Sequence, residues 1–276
     1  MHKTAQELNT RNQQTYETFA REYAGPEVGE DDPQHRLACR NAFLVSLKGK
    51  DILEVGCGPG TDSKRFHDAG LNVLATDFCK PFLSIVNERY PDIATSYVDM
   101  TSPFDVGTFD GVYGHSCFLH IAHELALQTL RHLRIALKPG GILFLAVIGT
   151  TKNNRYTIPN WGGHENNPAE FYCYSEVELQ NLALEAHYME SNASACPISS
   201  STLVILNGDY SVTRHRKNSN GLHIWLSLKS IYLAAHCRKV YVRDSGHETT
   251  HVGLCYFDVP RRGVYALVVE NRSSKN

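Results

Sequence analysis

Between Asp51 and Ile148 short apolar runs alternate with amphipathic segments, and this alternation limits the fold more than any other feature of the chain. Ile52 to Val55 is brief, apolar and bounded by turn residues, as a strand buried on both faces should be. The pattern predicts strands over 51–55, 72–75, 94–98, 111–113 and 142–148, with helices over 62–69, 81–90 and 124–137 between them. Strands separated by helices of this length run parallel, because a parallel pair needs a long crossover connection and the crossovers cover both faces of the sheet. The expected fold class is α/β, doubly wound and Rossmann-like, with a mostly parallel sheet.

The helix over 124–137 illustrates the logic. Ala126, Leu130, Leu133 and Leu137 form one stripe, and Lys138-Pro139-Gly140-Gly141 ends it with a positive charge near the carbonyl end. Ahead of the first strand, Tyr16, Phe19, Ala20 and Tyr23 keep helical spacing up to Gly25-Pro26, and Leu37, Phe43, Leu44 and Leu47 repeat the period in a second helix. Ser175-Glu176-Val177-Glu178 reads as a capping box opening a further helix. The segment between residue 148 and that box is long, aromatic and rich in Asn, Gly and Pro, the composition of a lid or binding loop. Beyond residue 190 the alternation fades. Leu203–Leu206 and Val240–Val242 resemble strands, Leu222 to Ala235 has helical periodicity, and Val264–Glu270 reads as a strong strand.

With 276 residues, 42% of them hydrophobic, the chain can bury a large core. Its 27 basic and 29 acidic residues give a formal charge of -2, which lacks the positive field of a dedicated nucleic-acid binder. No nucleic-acid or membrane partner is expected, since no run reaches the roughly 20 apolar residues that span a bilayer. The N-terminal residues lack a signal-peptide core, so the expected location is cytoplasmic. Eight cysteines without a C-x-x-C pair suggest reduced thiols rather than a disulfide framework, and no metal site is expected.

Chemistry concentrates in the turn after the first strand. Gly56, Gly58 and Gly60 place bare main chain at the carboxyl edge of the sheet, where ligands bind in such folds. A dinucleotide loop wants G-x-G-x-x-G; here the spacing is G-x-G-x-G with Pro59 inside, and an acid, Glu54, stands two residues before the first glycine. Glu54 suits a bound ammonium better than a phosphate. Asp77, ending the next strand, could accept both hydroxyls of a ribose, and Asp99 could take an adenine amino group with Met100 against the ring. An ammonium, a ribose diol and an adenine together describe S-adenosylmethionine.

These residues resemble the class I S-adenosylmethionine-dependent methyltransferases of small-molecule type. The resemblance runs from Tyr16 to Tyr188 in seven ordered blocks: YETFAREYA, ILEVGCGPG, VLATDF, YVDM, FDGVYGHSCFLHI, LKPGGILFLAV and YSEVELQNLALEAHY. It implies a seven-stranded sheet whose last strand, Val264–Glu270, inserts antiparallel. It also implies cofactor contacts at Glu54, Gly56, Gly58, Asp77, Asp99 and the His115-Ser116 turn. With their neighbours Tyr23, Cys57, Gly60, Phe78 and Met100, these make up the expected cofactor seat. Residues 1–194 would form the core with a helical lid, completed by 263–276, and 195–262 an α+β insertion serving the acceptor pocket or a dimer surface.

Methyl transfer needs alignment of nucleophile and methyl and exclusion of water. Tyr16, Tyr156, Trp161, His164 and Tyr172 are the candidates for the acceptor wall, and His120 and His115 for the base that takes the acceptor's proton, His120 also touching the acceptor. The expected partner is a small-molecule hydroxyl or amine. An RNA or protein methyltransferase, an NAD-dependent oxidoreductase and a non-catalytic cofactor-binding regulator are the alternatives. His247 to His251 reads H-E-x-x-H, but the flanking segments look like strands, so the two histidines would not share a helix face. The basic stretch Arg214 to Lys217 reads as a solvated loop.

Overall fold

The computed structural model describes residues 3–25, 34–149, 154–188, 212–215, 223–226 and 263–271. Two helices, α1 (Ala5–Ala24) and α2 (Gln34–Ser46), precede the alternating unit. That unit comprises β1 (Asp51–Val55), α3 (Thr61–Asp68), β2 (Asn72–Asp77), α4 (Lys80–Arg89), β3 (Ala94–Tyr97), β4 (Phe109–His115), α5 (His123–Ile135) and β5 (Leu137–Gly149). A hairpin of β6 (Asn154–Ile158) and β7 (Ala169–Cys173) follows, then α6 (Glu176–Glu185). Short strands β8 (Val212–His215) and β9 (His223–Leu226) pair with each other, and β10 (Gly263–Asn271) joins the main sheet.

The main sheet has the order β10-β5-β4-β1-β2-β3. Its first five strands in sequence are parallel, and β10 runs antiparallel against β5 from Gly263↔Gly149 to Asn271↔Gly141. The strand order reverses between β1 and β4, so a crevice opens at the carboxyl ends of those two strands, next to Gly56 and His115. Buried on both faces, β1 and β5 need apolar side chains on both, which is why Ile52, Leu53 and Val55 and the run Ile142 to Val147 carry almost no polar residue. Under the sheet, Phe43 of α2, Phe66 of α3, Tyr113 of β4 and Phe144 of β5 form one aromatic stack, with Tyr113 and Phe144 face to face at 5.0 Å. Gly111 makes room for it, since a Cβ there would stand 2.5 Å from the Phe43 ring.

Local signals set the helix ends. Thr4 and Glu7 form a reciprocal capping box at the start of α1. Ser175 caps α6 through the Glu178 amide at 3.2 Å, but the Glu178 carboxylate reaches His123 Nδ1 at 2.7 Å instead of closing the box.

Two expectations need correction. The lid segment is a hairpin rather than a loop, because Arg155-Tyr156-Thr157-Ile158 and Ala169-Glu170-Phe171-Tyr172 supply the aromatic and β-branched residues that pair across it. Within the helical period expected over Leu222 to Ala235, residues 223–226 form β9 and the rest lie outside the described residues; the pairing His215↔His223 also turns the start of the basic stretch at Arg214 into strand. Among the described residues the main sheet has six strands. Leu203–Leu206, Val240–Val242 and His247–His251 lie outside the described residues.

Candidate functional site

The loop after β1 is held from beneath by acids. The Glu54 side chain is buried and accepts from Ser63 Oγ at the start of α3. Burial, together with the negative charges of Asp62 and Asp77, pushes its carboxyl up to about 8. Asp77 is also buried; its Oδ2 accepts from the Gly58 amide at 2.9 Å and its Oδ1 from the Cys79 amide at 2.8 Å. Burial raises Asp77 to about 6, and those backbone donors oppose the rise. Both of its oxygens are thus engaged by main-chain amides. Each already takes one N–H, which leaves about one further acceptor site per oxygen.

Gly56 and Gly58 both have positive φ, +64° and +55°, and differ in what faces them. A Cβ on Gly56 would stand 2.3 Å from the Cys117 Cβ, so this glycine lets the turn after β4 close against the loop. A Cβ on Gly58 would meet nothing within 4 Å. Gly58 thus presents bare main chain to open space beside a buried carboxylate, and an amino-acid nucleoside fits such a shelf. Gly60 precedes α3 as its N-cap. The thiols around the loop stay protonated, because burial pushes Cys57 well up and Cys79 and Cys117 to about 12.

Farther along the edge, Asp99 Oδ1 accepts from the Thr101 amide at 2.9 Å and hydroxyl at 2.7 Å, with Asn9 Nδ2 3.3 Å from Oδ2. Met100 packs half-buried against the core. The Phe78 carbonyl accepts from Gln13 of α1 at 2.8 Å. His115 and Ser116 close the other side, Ser116 at φ 59° with its Oγ 3.1 Å from His115 Nδ1. Burial and the Arg36 charge lower His115 to about 4, so it is neutral. Its ring lies 6.0 Å from His35 of α2, which puts it beside the glycine loop rather than with His120.

A second group gathers under α1. His120 is buried in the one-turn 3-10 segment Phe118–His120, where its Nδ1 is 2.8 Å from the Glu170 carbonyl oxygen and its Nε2 2.8 Å from the Tyr16 hydroxyl. A carbonyl only accepts, so Nδ1 carries the proton, and burial lowers His120 to about 4. Nε2 is therefore the acceptor and Tyr16 donates to it. The Tyr16 ring meets Phe19, Tyr23, Phe82 and Trp161 at centroid distances between 5.6 and 6.3 Å. Phe171 lies 4.9 Å from Trp161 and stacks on Tyr156 at 5.2 Å. Burial pushes the Tyr16 hydroxyl well above its ordinary range and keeps it protonated, with Trp161 opposing the rise only in part, and the buried Trp161 Nε1–H has no acceptor in hydrogen-bonding geometry.

Tyr16, Tyr23, His120, Tyr156 and Trp161 thus come together on one wall. His164 stands at its rim, with Nε2 2.9 Å from Glu22 and its ring 5.1 Å from Phe19. Tyr172 does not join them. Adjacent residues of a strand face opposite ways, so with Phe171 turned to the wall Tyr172 turns to His123, with its hydroxyl unpaired.

Several residues of this wall carried no motif. Asn12 accepts from the Glu170 amide at 2.8 Å and donates to the Glu170 carbonyl at 3.2 Å, standing in for a neighbouring strand at the free edge of β7. The buried Glu170 carboxylate pairs with Arg11 and takes the Thr157 hydroxyl at 2.8 Å, with Arg155 Nε 3.1 Å away. A polar residue on the buried stripe of an otherwise surface-like helix was the available signal, since Leu8, Asn9, Asn12, Thr15 and Tyr16 share one face. A separate concavity of about 630 Å³, lined by Asp51, His67, Asn72, Asp92 and Phe109, opens where the strands begin, the opposite end from ligand sites in such sheets. Among the described residues no helix is long and apolar enough to cross a membrane.

Residues 52–141 match the model of a family described as "Methyltransferase domain". Over 151 residues the chain is 32% identical to a demethylmenaquinone methyltransferase of Renibacterium salmoninarum, covering 54% of this chain and 57% of that protein. It is 30% identical over 134 residues to a ubiquinone biosynthesis O-methyltransferase of Xanthomonas campestris, covering 44% of this chain and 55% of the other. The chain therefore spans a little over half the length of these curated relatives. Among solved structures, the Burkholderia thailandensis 1,6-didemethyltoxoflavin-N1-methyltransferase, crystallised with 1,6-didemethyltoxoflavin and S-adenosylhomocysteine, superposes with a TM-score of 0.56 at 18% identity, covering 71% of this chain and 85% of that one. That likeness is one of fold.

Proposed function

We propose that this chain, a class I methyltransferase by its family domain and its fold, binds S-adenosylmethionine and transfers the methyl group to a hydroxyl or amine of a small molecule. The observation that carries the reading is Gly58, with open space where a side chain would stand and its amide anchored on the buried Asp77. The relatives named for demethylmenaquinone and ubiquinone biosynthesis support the small-molecule class.

S-adenosylmethionine supplies a methyl group on a positively charged sulfur, open to in-line displacement. In this reading the remaining acceptor sites of Asp77 take the ribose hydroxyls, Asp99 Oδ2 takes the adenine amino group with Met100 against the ring, and Glu54 faces the ammonium. Cys57, Gly56, Gly60, Phe78, His115 and Ser116 complete the seat, and Tyr23 covers it. Tyr16, Tyr156 and Trp161 form the acceptor wall, with His164 at its rim.

Neutral His120 takes the acceptor's proton through Tyr16: the Tyr16 oxygen receives it as the hydroxyl passes its own proton to Nε2. Because burial makes the imidazolium costly, this route suits an acceptor that is already acidic or already neutral. Residues 195–262 are assigned to an insertion that completes the acceptor pocket or a dimer surface, and 263–276 to the last antiparallel strand of a seven-stranded sheet. The pairing of β10 with β5 supports that last assignment.

Calorimetry of the purified protein with S-adenosylmethionine, S-adenosylhomocysteine and NADH tests the cofactor. Binding of NADH alone refutes the reading. Methyl transfer over a panel of phenols, quinols and amines then separates an enzyme from a cofactor-binding regulator.

A further inference from the structure

Asn12 of α1 is fully buried, and its side chain bonds to the main chain of two residues far from it in sequence. Its Oδ1 accepts from the Glu170 amide at 2.8 Å, and its Nδ2 donates to the Glu170 carbonyl at 3.2 Å and, over a longer 3.5 Å, to the His120 carbonyl. A side-chain amide carries an acceptor and two donors on one flat group, which is what one N–H and two C=O groups at this edge require. An ionised aspartate in its place would have no donor for either carbonyl.

The same helix also holds the imidazole ring of His120. Tyr16 comes four residues after Asn12, so the two share the buried face of α1 and stand about 6 Å apart along its axis. The Tyr16 hydroxyl donates to His120 Nε2 at 2.8 Å, and Nδ1, across the ring, donates to the Glu170 carbonyl at 2.8 Å. Asn12 thus binds the carbonyl that takes the Nδ1–H, and the carbonyl of His120 itself, from the helix that carries the partner of Nε2. These bonds close a circuit from Asn12 through Glu170 and the imidazole to Tyr16, and back along one turn of α1. Among the described residues β6 is the one ladder partner of β7, so at Glu170 the other edge depends on α1. Arg11, next to Asn12, pairs with the carboxylate of the same Glu170, and Thr15 donates to the Pro168 carbonyl at 2.6 Å.

We infer that Asn12 is a positioning residue for the Tyr16–His120 pair: it fixes the main chain on both sides of the imidazole relative to α1, and so sets the distance over which Tyr16 hands on its proton. This assignment rests on the reading given under "Proposed function", in which that transfer removes the acceptor's proton. In it the Tyr16 O–H bond breaks and an Nε2–H bond forms. The Tyr16 oxygen bonds the acceptor's proton, whose electron pair stays on the acceptor atom that takes the methyl group. The positive charge that leaves the sulfur arrives on His120. At 2.8 Å the two atoms are hydrogen-bonded. A shift of about 1 Å removes such a bond, and a misplacement of that size costs about 100-fold in rate.

Two measurements test it, the first without any acceptor. In ¹⁵N-labelled protein the His120 Nε2 signal, assigned by its loss in His120→Gln, is expected at the shift of a hydrogen-bonded acceptor nitrogen. Tyr16→Phe is expected to move it to that of a free one, and Asn12→Ala to move it the same way while the proton stays on Nδ1. A signal unchanged by either variant overturns the assignment. The second is a double-mutant cycle on kcat with S-adenosylmethionine and a phenol acceptor. Asn12→Ala is expected to lower kcat about 10- to 100-fold, with the acceptor KM and the affinity for S-adenosylhomocysteine within about threefold. In the Tyr16→Phe background it is expected to cost nothing further, because both act on one bond. Losses that multiply place the effect of Asn12 elsewhere and overturn the proposal. If the nitrogen signal moves and neither variant lowers kcat, Asn12 holds the pair, but His120 is not the base and that part of the functional reading fails. If the unaltered protein transfers no methyl group, the functional reading fails and the nitrogen signal alone decides for Asn12. A thermal melt identifies a variant that does not fold. Should Asn12→Ala prove to be one, Asn12→Ser takes its place, and the Tyr16→Phe arm stands in either case.

Discussion

Replacing Glu54 with glutamine should make the protein more stable at neutral pH and a poorer cofactor binder. The unfolded carboxyl titrates near its ordinary value of 4.5, whereas in the folded protein burial and its acidic neighbours raise it to about 8. Between those values the folded state holds a proton that the unfolded state has released. Stability from this group is thus complete below pH 4.5 and is lost as pH rises toward 8. Each pH unit in that window removes about 1.4 kcal/mol, so about 3 kcal/mol is missing at pH 7. Glutamine has nothing to lose with pH. Its new N–H₂ can fail to find an acceptor, which costs back about 1 kcal/mol at any pH, so a net gain of about 2 kcal/mol remains at pH 7 and turns into a net loss of about 1 kcal/mol at pH 4.5.

Urea unfolding of both proteins at half-unit steps from pH 5 to 8 measures the difference. The slope decides, because an altered bond to Ser63 shifts the whole curve without tilting it. A difference independent of pH would mean that Glu54 is ionised in the folded protein, and the argument from burial would be refuted. The same substitution removes the proposed partner of the cofactor's ammonium, which must first draw off the Glu54 proton, so S-adenosylhomocysteine affinity should fall by up to about tenfold at pH 7 and by more as pH approaches 8.

Gly58→Ala meets no clash but is held at φ +55°, so unfolding stability should drop by only about 1–2 kcal/mol while calorimetric affinity for S-adenosylhomocysteine falls by about tenfold or more. Asn12→Ala strips the Glu170 amide of its side-chain partner at a buried edge while the carbonyl keeps His120 Nδ1; denaturant melts should show a loss of about 1–3 kcal/mol. Tyr16→Phe leaves His120 Nε2 without its donor and should lower kcat more than it changes cofactor affinity, read by steady-state rates and calorimetry in parallel.

Much of the parallel sheet could be read from the sequence because buried strands and amphipathic helices write different periods. Ile52 to Val55 is apolar except at Glu54, Ile142 to Val147 is apolar at every position, and α5 repeats its stripe at Ala126, Leu130 and Leu133. The glycine loop was legible for a related reason, since its chemistry lies in main chain and two acids a short distance apart in sequence. The acceptor wall was not. Its members are brought together across separations such as 104 residues for Tyr16 and His120 and 158 for Asn12 and Glu170. No local pattern encodes such pairings. Asn12 in particular reads as an unremarkable polar position in a helix, and only the unpaired edge of β7 gives it a task. Tyr172 shows the converse failure, in which composition suggested a ligand wall and the pleat of the strand turned the side chain away.

The contacts of α1 make the two halves of the site one mechanical unit. The helix donates from Gln13 to the Phe78 carbonyl beside Asp77 and from Asn9 to Asp99, both on the proposed cofactor side. From the next turns it binds Glu170 through Asn12, the Pro168 carbonyl through Thr15 and His120 through Tyr16, all on the proposed acceptor side. A rigid helix cannot shift one set of bonds without straining the other. Its departure from helical geometry falls at Phe19, φ −134° and ψ 24°, where the ring lies over Gly162 and just past the last of these bonds. Beyond the kink the helix is tied to other partners, Arg21 to Glu88 and Glu22 to His164. A ligand that tightens α1 against Phe78 also tightens it against His120, and by linkage the coupling must act equally in the other direction.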